Sequence, residues 1–393
     1  MTGVKSKIRQ NRLNHIVGIA IVVAFLLPHS NALLQAINPL LCIALAYYSK
    51  RRTENAKFLV ILPISFSLLI NLTGIQMKAF FSVVSILMYF SLFPIVGRVK
   101  IHNAYLYVCL FFILLSQVIY AIEIPFLVNF FDTMYPISED TVTGAAFRYT
   151  ATHVTMDTIY NFRLGGLYHN PNICSEFLTL LLAFYLVQQE NFKKKVTWIF
   201  PAIAFFAILF TGSRTGFIVA FVLIMSILYV KKEINNTNIV IAVISAFLYL
   251  FVGAEGSLRG LDFEGGMNSS VNLKWETFTH YLITEQSAIR YLFGYADMGL
   301  FDVKNSYIMG AFDSDYGYLV FCYGFIGFAG ILSFCYLIMQ KMEKSVRLYF
   351  FVLLWMVSNS IFMSYRASFA FMLLLSILYS NTYSVHNATL ERK

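Results

Sequence analysis

Apolar residues run along this chain in long stretches, broken by short polar and basic punctuation. Twelve stretches read as helical spans, over about residues 16–28, 32–48, 58–75, 79–97, 104–122, 173–188, 197–211, 216–230, 239–254, 316–340, 348–364 and 367–383. A helix needs about 20 apolar residues to cross a bilayer, and several stretches are shorter, so their ends are set only to within a few residues. The pattern predicts an all-α integral membrane protein of about twelve transmembrane helices, a single polytopic domain over 1–393. Two connections are long, 123–169 and 255–312, and loops beyond about 15 residues are usually functional or disordered. Their aromatic and amphipathic stretches favour order. In the second, Val271, Trp275, Phe278 and Leu282 recur at helical spacing behind the capping residues Asn268, Ser269 and Ser270. This predicts a helix that lies at the membrane surface or packs on the bundle.

Composition supports the spans. The chain is 59% hydrophobic and 12% charged, against about 45–50% and about 25% in soluble domains. An ordinary cytosolic enzyme, a secreted disulfide scaffold and a disordered chain are excluded, and no soluble domain fits beside the spans. Cys42, Cys109, Cys174, Cys322 and Cys335 lie in or beside apolar runs without CxxC spacing, and read as small membrane hydrophobes.

The net charge of +9 acquires a meaning once the spans are placed. With the N-terminus inside, twenty of the 29 basic residues fall in the inner connections and termini. The outer side then holds Lys78, Arg148, Arg163, Arg214, Arg259, Lys274, Arg290, Lys304 and Arg366, with about fifteen of the acidic residues. Basicity is therefore topological, both termini are expected to be cytoplasmic, and no nucleic-acid binding follows. Residues 1–14 form a basic start without a cleavage pattern, which predicts an uncleaved first helix.

Three outer polar constellations carry candidate chemistry. The first long loop ends in Asn161-Phe-Arg163-Leu-Gly165-Gly166-Leu-Tyr168-His169-Asn170-Pro171-Asn172 and enters a helix with Glu176 in its first turn. Asn170 or Asn172 can cap that helix. As a bare pattern this reads as a structural turn before it reads as an anion seat. Thr211-Gly-Ser213-Arg214-Thr215-Gly216 makes a tight hairpin, where the arginine either snorkels or meets phosphate oxygens. Asp313-Ser-Asp315-Tyr316-Gly317-Tyr318 opens the tenth span, followed by Gly324 and Gly327. One carboxylate suffices as a cap, two exceed that need, and a catalytic metal is not expected. Arg366 faces the same outer cavity or anchors a helix end.

The succession Arg-x-x-Gly…Asn-Pro-Asn, Thr-x-Ser-Arg-Thr, a long outer loop leading to Leu292-Phe293-Gly294-Tyr295, then a polar residue and Gly-x-x-Gly resembles the O-antigen polymerase and O-antigen ligase superfamily. The resemblance covers about residues 161–330. It implies a membrane glycosyltransferase of GT-C type in the bacterial inner membrane, acting at the periplasmic face on undecaprenyl-pyrophosphate-linked repeat units, without nucleotide sugar or metal. Carried over, Arg163, Arg214 and Arg290 neutralise the donor pyrophosphate as leaving group. Asp313, then Asp315 or His169, takes the proton of the acceptor hydroxyl. Asn172, Glu176, Lys274 and Arg366 are further substrate contacts.

Ligases of this superfamily carry a histidine at the head of the helix whose glycines here are Gly324 and Gly327. At that spacing this chain has Asp313, which favours polymerase over ligase. The ligases' arginine ahead of the loop aromatic is likewise missing from Val271-Asn272-Leu273-Lys274-Trp275, and Arg290, Lys274 and Arg259 are candidates for its role. A chain-length regulator is a partner by resemblance alone. A flippase or transporter of the same lipid-linked units is the reading from another class, disfavoured because the spans show neither midplane charges nor self-similar halves.

Overall fold

The computed structural model describes residues 2–27, 36–49, 53–75, 77–135, 164–168, 171–191, 197–230, 279, 287–296, 315–342 and 365–390. Among them every regular element is a helix and no strand occurs. In chain order these are α1 (Thr2–Leu26), α2 (Ile37–Tyr48), α3 (Phe58–Ile70), α4 (Met77–Ser91), α5 (Asn103–Ile122), α6 (Pro125–Met134), α7 (Pro171–Asn191), α8 (Ile199–Phe210), α9 (Arg214–Val230), α10 (Ala288–Phe293), α11 (Asp315–Gln340) and α12 (Tyr365–Leu390), with 3-10 turns at Asn55–Lys57 and Gly166–Tyr168.

Two helical stretches, Asn103–Ile122 and Gly317–Gln340, are long and apolar enough to cross a membrane. Shorter apolar helices occupy the other predicted spans that fall on described residues. The spans over 239–254 and 348–364, and the surface helix expected around Trp275, lie outside the described residues. All five cysteines are buried and free. The chain forms two compact units, residues 1–27, 33–105 and 273–393 in one, 28–32 and 106–272 in the other.

In the first unit α11 lies against α3. Gly327 and Gly330, a helical turn apart, face Pro63 of α3, and a Cβ on Gly330 would overlap the Leu59 carbonyl. Small residues allow this close backbone approach between apolar helices, where packing rather than water drives association. The expected continuous span over 316–340 is broken: Gly324 adopts φ 67° and ψ −179°, which interrupts the helix.

The fourth span also departs from its expected extent of 79–97, because α4 stops at Ser91. Pro94 and Gly97 explain the stop, since proline cannot continue a helix and disfavours helical geometry in the residue before it. The strap that follows is nevertheless buried through Phe93, Ile95, Val96, Val99 and Ile101. Buried non-helical backbone must find partners for its polar groups, and here side chains of α1 and α12 and of Ser49 at the end of α2 supply them. Ile95 N–H donates to Ser376 Oγ (2.9 Å), Gly97 N–H to Ser49 Oγ, Val99 N–H to Asn381 Oδ1 (3.0 Å) and Lys100 N–H to Asn14 Oδ1 (3.1 Å). In return the carbonyls of Val96, Arg98 and Val99 accept from Ser380 Oγ (2.7 Å), Gln10 Nε2 (2.7 Å) and Asn381 Nδ2 (2.7 Å).

Glu54, 6% exposed, sits beside this strap's supporting helices at the head of the first 3-10 turn. Its carboxylate accepts from Lys341 Nζ (2.8 and 2.9 Å), Tyr379 OH (2.7 Å) and Ala56 N–H (3.2 Å). Burial opposes the charged form, but these donors and the lysine charge outweigh it and hold the carboxyl below its ordinary range.

In the second unit α7 is the central helix, buried continuously from Cys174 to Leu186. Tyr185 stacks on Phe200 of α8 with ring centroids 4.3 Å apart, and α9 covers another side of α7.

Candidate functional site

In the second unit the first two sequence constellations come together. Residues 164–168, directly after Arg163, are buried as a short strap. Leu164 N–H donates to the carbonyl of Phe210 (2.8 Å), the last residue of α8. Gln117 of α5 donates through Nε2 to Leu164 O (3.2 Å) and Ala207 O (3.1 Å), and Ser116 Oγ accepts from Leu167 N–H (3.0 Å). Gly166 has φ 53°, and a Cβ there would collide with Ser116 Oγ, so this position requires glycine on both conformational and steric grounds. Tyr168 then stacks on Phe177 of α7 at 4.6 Å.

Pro171 is the first residue of α7, where its missing N–H costs nothing. Asn172 is therefore inside the helix rather than its cap, which corrects one of the two sequence alternatives. Glu176 lies in the second turn rather than the first, and is 2% exposed.

The Thr211–Ser213 turn is built by its own side chains. Gly212, at φ 58°, ends α8. Thr211 Oγ1 donates to Ile208 O (2.6 Å) and accepts from Ser213 N–H (3.1 Å), while Ser213 Oγ accepts from Gly216 N–H (3.3 Å) and caps α9. Arg214 is the first residue of that helix. A cation there adds to the positive end of the helix dipole instead of balancing it. Gly216 lies against Ser175 of α7: a Cβ at Gly216 would overlap Ser175 Oγ. The strap is thus tied to the end of α8 through Leu164 and Gln117, and the start of α9 is tied to α7 where Gly216 meets Ser175.

The third constellation lies in the first unit. Its Gly324 meets the Leu292-Phe293-Gly294-Tyr295 stretch backbone to backbone. Gly294 has φ 70° and a Cβ there would overlap Cys322 O, while a Cβ at Gly324 would overlap Leu292 O. The break at Gly324 takes the Phe321 and Cys322 carbonyls out of regular helix, and they accept from Tyr295 N–H (2.9 Å) and Ala296 N–H (2.7 Å). Cys322 O also accepts from Ser67 Oγ (2.8 Å). Arg290 completes this junction: Nη1 bonds Asn71 Oδ1 and reaches Gly294 O (3.4 Å), and the guanidinium lies 4.5 Å from the Tyr295 ring centroid. Asn71 in turn donates to Gly294 O (3.2 Å).

Arg163, His169, Lys274 and Asp313 lie outside the described residues, as do the side chains of Arg214, Asp315 and Arg366, whose backbones open α9, α11 and α12. Sequence reasoning missed Ser116, Gln117 and Asn71. The signal for the first two was a polar pair inside an otherwise apolar span. Asn71 carries no local signal for its role, because Gly294 and Arg290, which it joins, lie more than two hundred residues away. No family model matches this chain, and no curated protein matches it.

Proposed function

We propose that the protein is an O-antigen polymerase, a membrane glycosyltransferase that moves the growing glycan from undecaprenyl pyrophosphate onto the next lipid-linked repeat unit at the periplasmic face. The observation that carries this reading is that Leu164, the residue after Arg163, is bonded to Phe210, the end of the helix that leads through the Thr211–Ser213 turn to the helix start at Arg214. Permanent cations near a helix N-terminus suit a pyrophosphate leaving group, whose charge grows as the glycosidic bond breaks. The acceptor hydroxyl attacks the anomeric carbon, the pyrophosphate leaves with the bonding electron pair, and the hydroxyl proton passes to a base. Asp313 holds that role, with Asp315 and His169 next. Arg290, engaged with Asn71 and Tyr295, keeps donors beyond Nη1 for a phosphate oxygen.

The sidedness of the fold supports this assignment. Glu54 and Lys341, both assigned inside, pair, and so do Gln10 and Arg98, while Arg290, assigned outside, bonds Asn71 near the end of the third span.

The test is a gel of surface lipopolysaccharide from a strain lacking this gene, with the wild-type copy restored as control. Lipid A-core bearing a single repeat unit is the expected result, since flipping and ligation survive. Bare core would overturn the polymerase in favour of the ligase or the flippase, which differ in the membrane face on which lipid-linked polymer or repeat units accumulate.

A further inference from the structure

The helix α6 has ten residues and is about 15 Å long, half the hydrocarbon thickness of a bilayer. It leaves α5 through a turn at Glu123 (φ 55°) and starts with Pro125. Its residues divide among three surroundings. Val128 and Phe131 pack on Tyr120 and Leu164, and Asp132 Oδ1 accepts from Tyr120 OH at 2.7 Å. Phe126, Phe130 and Met134, four residues apart and so on one face, are 78%, 48% and 48% exposed. Asn129 and Thr133 belong to the same exposed side, Thr133 only about 20° round the helix from Phe126 and Asn129 at the edge away from Met134, with Thr133 Oγ1 bonded back to Asn129 O (2.8 Å).

A helix of a soluble protein meets two surroundings, protein and water. This one presents a third face of large apolar side chains. The same kind of surface precedes it along the chain: Phe111, Val118 and Ile122 share an exposed face of α5, one of the two membrane-length helices, and exposed Ile124 continues it. The occupant that accounts for an apolar stripe continuous with a membrane helix, on an element too short to cross, is lipid.

We propose that α6 is an interfacial helix. Its Phe126–Phe130–Met134 stripe is seated among acyl chains just below the headgroups, and its Asn129 edge is turned toward water. Through Tyr120 and Leu164 it fixes the depth of the 164–168 strap. The inference rests on the membrane reading of the chain and is independent of the reaction assigned to it.

The experiment places an environment-sensitive fluorophore on variants that each add one cysteine, F126C, F130C, M134C, N129C and, as a membrane reference, F111C. The full chain is reconstituted in phosphatidylcholine–phosphatidylglycerol vesicles. The five native cysteines are buried, so the unmodified chain gives the labelling background. Labels at 130 and 134 are expected to be quenched several-fold more by a nitroxide near the headgroup than by aqueous iodide, and the label at 129, about 140° round the helix from 134, the reverse. The label at 111 is expected to be quenched by a nitroxide near the acyl terminus. Equal iodide quenching at 129 and 134 overturns the placement, and so does a label at 126 shielded from both quenchers, which would mean that protein covers the stripe. Escape of the label at 111 from lipid quenchers would overturn the membrane reading itself.

Discussion

At the scale of single residues, the sharpest constraint is Gly216 against Ser175. A methyl group at 216 has no room, and overpacking of this kind costs about 1–3 kcal/mol. Gly216→Ala is therefore expected to lower the thermal midpoint of the purified protein. Ser175→Gly in the same chain should restore part of it, less the helix penalty of about 1 kcal/mol for an added glycine. Additive losses would show that the two positions do not touch. Arg214→Ala is expected to abolish polymer while the protein still inserts, and full-length product from that variant would remove the pyrophosphate role. Asp313→Asn should have the same effect, and normal chain synthesis by it would move the base to Asp315 or His169. Glu54 predicts a pH dependence. Its folded carboxyl lies below the ordinary value of 4.5, so the stabilisation it provides is present above that value and is lost as pH falls through the folded one. The midpoint difference between wild type and Glu54→Gln should thus be constant near neutrality and shrink on acidification below about pH 4.5. A difference that grows there would reverse the sign of the shift.

At the scale of elements, hydropathy located the helices well and their irregularities poorly. Apolar content marks where a helix is affordable, but Ile95, Val96, Val99 and Ile101 are as apolar as a span and belong to a strap. Pro94 and Gly97 were the visible warning. The partners, Ser49, Ser376 and Asn381, come from distant parts of the chain, and no local pattern announces them. The strap predicts that Asn381→Ala, which orphans both polar groups of Val99, costs about 1–3 kcal/mol, read as a lower thermal midpoint. An unchanged midpoint would mean that water or another side chain replaces the amide. The same limit holds for the candidate site. The glycines at 165–166 and the capping serine before Arg214 were legible as turn and helix start. The positive φ of Gly324 and Gly294 was not, because it is required by the crossing of two backbones that meet only in the folded unit.

At the scale of the whole molecule, the inner and outer assignments of charge give a labelling prediction. A membrane-impermeant thiol reagent applied from outside the inner membrane should modify Thr73→Cys, beside Asn71, and spare Asn55→Cys, beside Glu54. The opposite pattern would invert the topology and remove the periplasmic site. The junction between α10 and α11 bears on the history of the chain as well. Because Tyr295 and Ala296 are tied to Phe321 and Cys322, the stretch between them is a ring closed by main-chain bonds. Lengthening such a ring raises its closure entropy only slowly, about 0.6 kcal/mol for each doubling. Insertions between 297 and 312 are thereby expected to cost little in closure entropy, leaving the backbone tie of 295–296 to 321–322 in place. A lineage of such proteins can lengthen or shorten its chain there on an unchanged scaffold.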